Sequence, residues 1–167
     1  MPPAPPLLLL SIVSIAAAAR PPAELLARAN ALYQQGELAR AAAAYEACLQ
    51  LEPTAAPPSA EADAVFVPCT INLASVLLDL GVEHAERAEQ LYRVALAADP
   101  DNGDAAYNLA LLIYDRKTEA DTAEAASLYQ IAVDAQPSRW DAWANLAAAL
   151  QEMKRDPLRA IHAFERA

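Results

Sequence analysis

Apolar residues return along this chain at spacings of three and four, and the runs come in pairs. Residues 25–53, 70–100, 106–137 and 143–167 each read as two short amphipathic helices. The predicted helices span 23–34 and 38–51, then 68–80 and 85–98, then 104–115 and 122–135, and lastly 140–153 followed by a helix that opens at Asp156-Pro157. Asp101 or Asn102 suits the start of the fifth helix, and Asp121 or Thr122 the start of the sixth, because their side chains accept from free amide N–H groups. Gly36 and Gly81 sit where the helices of a pair turn. No stretch alternates with period two for long, so strands are not expected.

Within each pair the same residue types fall in the same places. A small residue stands mid-way along the first helix (Ala29, Ala74, Ala110, Ala147) and another opens the second (Ala41, Ala88, Ala125, Ala160). An aromatic follows four residues later (Tyr45, Tyr92, Tyr129, Phe164), then a small residue (Cys48, Ala95, Ala132, Ala167). Pro53, Pro100 and Pro137 close the first three units. Small side chains let two antiparallel helices approach, the aromatic fills the space that widens toward their ends, and proline stops the second helix. One such pair cannot bury its own apolar face, so the pairs must stack.

This register resembles the tetratricopeptide repeat (TPR). The resemblance implies an all-α, TPR-type superhelix of about four helix-turn-helix units, at 21–55, 67–102, 103–137 and 138–167. The fourth unit ends inside its second helix, with Leu158, Ile161 and Phe164 contributing an apolar stripe that a capping helix would normally cover. A fragment of a longer protein is expected on that ground, with cover of the uncapped repeat by a partner or by a second copy of the chain as the alternative.

Two segments fall outside the pattern. Residues 1–20 are Pro-rich and then apolar, with thirteen uncharged residues from Leu7 to Ala19. That run is too short for a membrane span, which needs roughly 20 residues, and fits the core of a secretory signal peptide ending at Ala17-Ala18-Ala19. No basic residue precedes it, which fits instead a helix capping the first repeat, or a misplaced gene start. The compartment follows the choice: secretory for a signal peptide, otherwise cytoplasmic. Residues 52–67, with three prolines, read as an insertion loop centred on 56–66, either a flap near the groove or a disordered surface loop. Cys48 and Cys69 flank it. Two buried free thiols are expected, and a disulfide is the alternative if the N-terminus is a signal peptide.

The TPR resemblance places the first helix of each unit on a concave face. Asn72, Asn108 and Asn145 each open an Asn-Leu-Ala triplet, about one repeat apart, and so form a row; Asn30 lies close by in the first unit. An amide side chain can both donate to and accept from a peptide backbone. Packed helices lie about 8–10 Å apart and an extended chain advances about 3.3 Å per residue, so one asparagine meets roughly every third residue. Tyr33, Ile71, Leu78, Tyr107, Leu111 and Tyr114 surround the row as candidate side-chain contacts. The segment 72–81 is similar to a repeat of the O-linked N-acetylglucosamine transferase family, which has such an asparagine row.

The net charge of −10 disfavours nucleic acid. Asp79, Asp104, Asp115, Asp141 and Glu152 make the groove acidic and favour a neutral or basic ligand. TPR domains that clamp a chaperone's C-terminal carboxylate need cations where this chain has Asp104 and Asn108, so no such clamp is expected. No phosphate loop, metal cluster or nucleophile motif appears, so neither a cofactor nor an enzyme is expected. The expected function is a protein–protein interaction scaffold that binds an extended peptide. The alternative is the substrate-recruiting part of a glycosyltransferase whose catalytic domain lies outside the chain, with TPRs that follow the membrane portion of certain O-mannosyltransferases as a variant.

Overall fold

The computed structural model describes residues 21–50, 60–153 and 157–167; expectations placed on 1–20, on 52–59 and on Asp156 lie outside them. Eight α-helices occur among the described residues: α1 (Pro22–Gln34), α2 (Leu38–Leu49), α3 (Ala60–Leu80), α4 (Ala85–Ala98), α5 (Gly103–Tyr114), α6 (Glu119–Ala135), α7 (Trp140–Met153) and α8 (Pro157–Arg166). They pair as α1–α2, α3–α4, α5–α6 and α7–α8, and each pair packs on the next. The fold is an all-α solenoid of the TPR type.

The small residues stand where the helices cross. Ala29, Ala41, Ala74, Ala88, Ala110, Ala125 and Ala147 have no exposed surface, and Ala160 almost none. Tyr45, Tyr92 and Tyr129 fill the adjoining space and are the largest fully buried side chains. Phe164 does not repeat that role: it is 51% exposed and Ile161 is 55% exposed, because no fifth unit covers α8 among the described residues. At the start of α5, a β-carbon on Gly103 would lie 2.8 Å from that of Ala135, so only glycine permits this approach of α5 to α6.

Turn chemistry sets the hairpins. Gly36 takes φ +75°, and after α1 the amide of Glu37 bonds the carbonyl of Leu32 while that of Gly36 bonds Tyr33. These two bonds are the Schellman closure, which needs a residue without a side chain in the left-handed region. Asn102 caps α5, accepting from the amide of Ala105 at 3.0 Å. The start of α6 differs from expectation. Thr118, not Asp121 or Thr122, is the cap, and it accepts from the amide of Asp121 at 3.0 Å. The helix therefore begins three residues early, because Lys117 takes the left-handed conformation (φ +57°) and completes the turn sooner.

Two further corrections concern the insertion. From Ala60 the chain is helical rather than looped, so Pro68 lies inside α3 and not at its start. An internal proline costs about 3 kcal/mol by removing one helix bond. Burial of Val65, Cys69, Thr70 and Ile71 on either side of it offsets that cost. Thr70 also donates its hydroxyl to the carbonyl of Phe66 at 2.7 Å. Cys48 and Cys69 are bonded to each other rather than free, with α-carbons 6.4 Å apart, and so tie α2 to α3.

Candidate functional site

The first helices of the four units, α1, α3, α5 and α7, stand side by side and form one face. The second helices form the other, where Arg87 reaches Glu46 at 2.6 Å and Arg93 reaches Glu124 at 2.6 Å across successive units. Glu89 receives both Arg93 and Arg116; burial works against its charge, yet the two guanidinium groups hold its carboxyl below the usual range. These are largely solvated pairs and contribute little to stability.

The first face has three seams. At the α1/α3 seam, Tyr33 donates to Asp79 at 2.8 Å and the Asn72 amide donates to Asn30 Oδ1 at 3.1 Å. Tyr45 rises from α2 and donates to the same Asn30 oxygen at 2.6 Å. At the α5/α7 seam, Tyr114 donates to Glu152 at 2.8 Å and the Asn145 amide donates to the Tyr107 hydroxyl at 3.3 Å. Partial burial and the bond to Glu152 push the Tyr114 hydroxyl up to about 12. The hydrogen bond to Asp79, then burial, raises Tyr33 in the same direction.

These pairs follow a repeat rule. A tyrosine four residues past the central alanine of one unit donates to a carboxylate five residues past that of the next. The middle seam, α3/α5, breaks the rule, because Leu78 stands where Tyr33 and Tyr114 stand. No hydrogen bond joins α3 to α5 among the described residues, and Asp115, the carboxylate that a tyrosine would have met, has no partner there. Asn108, the middle asparagine of the row, is likewise without a partner among the described residues. Two cavities open along this seam. One, of ≈ 450 Å³, has Val67, Pro68, Ile71, Asn72, Asp99 and Asp104 among its lining residues. The other, of ≈ 460 Å³, is lined by Leu78, Tyr92, Asn108, Leu111, Leu112, Tyr114 and Asp115.

All ten candidate residues lie on α1, α3, α5 or α7. They are not equally free. Asn72 and Asn145 each spend a donor on a neighbour, whereas among the described residues each keeps an unused carbonyl oxygen. Tyr107 is buried and its ring carries the Arg139 guanidinium at 3.9 Å. Leu111 is 42% exposed. The acids named with the groove divide in the same way: Arg139 reaches Asp104 at 2.7 Å and Asp141 at 3.4 Å, and tyrosines hold Asp79 and Glu152. Only Asp115 of the five is without a partner among the described residues. The tyrosine–carboxylate pairs were missed by sequence reasoning, although their constant offset from the alanines was present to be found.

A second irregularity lies inside the third unit. Tyr45 bonds Asn30, and Tyr92 lies 2.9 Å from the Ser75 hydroxyl; both partners directly follow the central alanine of their unit. In the third unit Leu111 takes that place, and the fully buried Tyr129 hydroxyl has no partner among the described residues. Burial pushes that hydroxyl's pKa up.

Residues 22–55 match the tetratricopeptide repeat family model. The chain shares its fold with solved TPR proteins. MamA from Desulfovibrio magneticus is 20% identical, with 87% of this chain covering 72% of that one at a TM-score of 0.62. A tetratricopeptide repeat protein from Parabacteroides merdae is 17% identical, with 87% covering 51% at 0.67. The first TPR domain of Spaghetti (RPAP3), solved with an HSP90 peptide, is 18% identical, with 82% covering 96% at 0.63. No curated protein sequence matches the chain.

Proposed function

We propose that this tetratricopeptide-repeat solenoid is a non-enzymatic scaffold that holds an extended peptide segment along the face made by α1, α3, α5 and α7. The observation that carries the reading is the asparagine row. Asn72, Asn108 and Asn145 recur one per unit on that face, and among the described residues each has hydrogen-bonding capacity left over, Asn108 all of it. A peptide backbone presents paired N–H and C=O groups at a spacing such a row can meet. The same fold holding an HSP90 peptide in a neighbour supports a peptide as the ligand class. The peptide differs here. The partnerless Asp115 favours a neutral or basic segment, and Asp104 and Asn108 stand where a carboxylate clamp needs cations.

None of the structures named above is a glycosyltransferase, and the O-linked N-acetylglucosamine transferase likeness of residues 72–81 rests on the sequence alone. The Cys48–Cys69 disulfide supports an oxidising compartment, hence the signal-peptide reading of residues 1–19. The exposed Ile161 and Phe164 support homotypic contact through α8 as a second use of the chain.

A peptide selected from a random display library against the folded chain tests the groove. The variant Asn72→Ala, Asn108→Ala, Asn145→Ala is expected to bind it at least about tenfold more weakly, since each lost backbone bond contributes about 1 kcal/mol. Circular dichroism should show helix content unchanged. Equal affinity in the folded triple variant would remove the asparagine row from the account.

A further inference from the structure

We propose that the ≈ 460 Å³ cavity between α3 and α5 is a socket for one lysine or arginine side chain of the segment bound in the groove. The proposal rests on the peptide-binding reading and adds the residue class that reading leaves open.

The cavity pairs apolar walls with a single partnerless carboxylate. Leu78 and Leu111 present aliphatic surface beside the ring of Tyr114, and Tyr92 lies at the floor with its hydroxyl against Ser75. Asp115 stands at one end without a hydrogen-bonding or ionic partner among the described residues. The cause is local: the leucine at position 78 removes the hydroxyl that closes the other two seams. The carboxylate end of the cavity also lies where α3 and α5 finish, and neither helix carries a basic residue in its last turn. Their terminal carbonyl groups add negative potential there.

Among the described residues, no cation of the chain pairs with Asp115. Arg116 is engaged by Glu89 and Asp121 on the opposite face. Lys117 lies over the Tyr114 ring, 3.9 Å from its centre, and makes no ion pair with Asp115. An apolar occupant would strip water from Asp115 without replacing it, which is costly. An acidic occupant would meet like charge. A lysine or arginine satisfies both parts, because its stem lies on apolar surface while its head stays charged.

The dimensions agree. Asp115, the residue that caps the end of α5, lies seven residues past Asn108, two turns on the same side, or roughly 10 Å. A lysine stem of about 6 Å plus a hydrogen bond of about 3 Å spans nearly that distance. The ligand backbone then lies at Asn108, the stem crosses Leu111 and Leu112, and the head reaches Asp115.

Three fluorescein-labelled alanine–serine peptides, identical except for a central lysine, norleucine or glutamate, test this by anisotropy against the full chain. The lysine peptide is expected to bind about tenfold more tightly than the norleucine peptide, the gain of a charge-assisted contact, and the glutamate peptide most weakly. Asp115→Asn should abolish the lysine preference, bringing the lysine and norleucine peptides to about equal affinity. Asp101→Asn, which removes the same charge from an exposed turn, should keep it. Equal binding of lysine and norleucine, or a preference that survives Asp115→Asn, overturns the socket. If the norleucine peptide still binds and loses that binding in the triple asparagine variant, the groove stands without the socket. If none of the three peptides binds, both fall.

Discussion

Reduction of the Cys48–Cys69 disulfide lowers the unfolding free energy by about 3 kcal/mol, the chain-entropy value for a loop of this size. The bridge joins residues 21 apart in sequence and ties α2 to α3, hence the first repeat to the second. It restricts the unfolded chain chiefly, so its removal acts on stability without requiring any change in the packing of the core. Urea unfolding followed by circular dichroism, with and without reductant, measures the difference. Both cysteines are buried, so the reduced sample should be prepared by reduction of unfolded chain followed by refolding. Coincident unfolding curves, with mass spectrometry showing two free thiols in the untreated chain, would contradict the bridge. A Cys69→Ala variant is a weaker test, since it also removes a fully buried sulfur.

Ala110→Leu destabilises the chain by about 1–3 kcal/mol through overpacking. Ala110 is fully buried on α5, where α6 crosses with Ala125, also fully buried. Extra methyl groups at that crossing can be housed only by spreading α5 from α6, and Gly103 and Ala135 already bring the same two helices close at their other ends. The loss should appear as an earlier urea midpoint with an unchanged slope. A neutral substitution would mean that the small residues do not sit at the crossings and that the repeat register is mistaken.

The crossings are readable from sequence because packing there tolerates only one size of side chain. A rule that recurs four times, as at Ala29, Ala74, Ala110 and Ala147, stands out against unrelated positions. The helices between crossings follow from the same period, and α4 and α7 have the expected bounds. Tertiary burial decided what local signals got wrong. Pro68 marks a helix start by local rules, yet burial of Val65 and Cys69 carries α3 through it. Thr118 outcompetes Asp121 as a cap because Lys117 adopts a conformation that no residue-type preference announces. Cys48 and Cys69 look like ordinary small core residues until α2 and α3 are placed together. The row of asparagines was visible, but not which of them lacks a partner among the described residues. That depends on neighbours about 40 residues away in sequence, as for Asn72 with Asn30 and Asn145 with Tyr107. The distinction between the closed seams and the open one rests on the single exchange of tyrosine for Leu78.

The most direct measurement is a nuclear magnetic resonance titration of the side-chain amide signals of Asn72, Asn108 and Asn145 with a selected peptide. All three should move together along one binding curve, Asn108 farthest because it exchanges water for peptide, while Glu46, Arg87 and Glu124 on the opposite face stay still. Movement confined to that opposite face, with the three asparagine signals fixed, would contradict a ligand groove on α1, α3, α5 and α7.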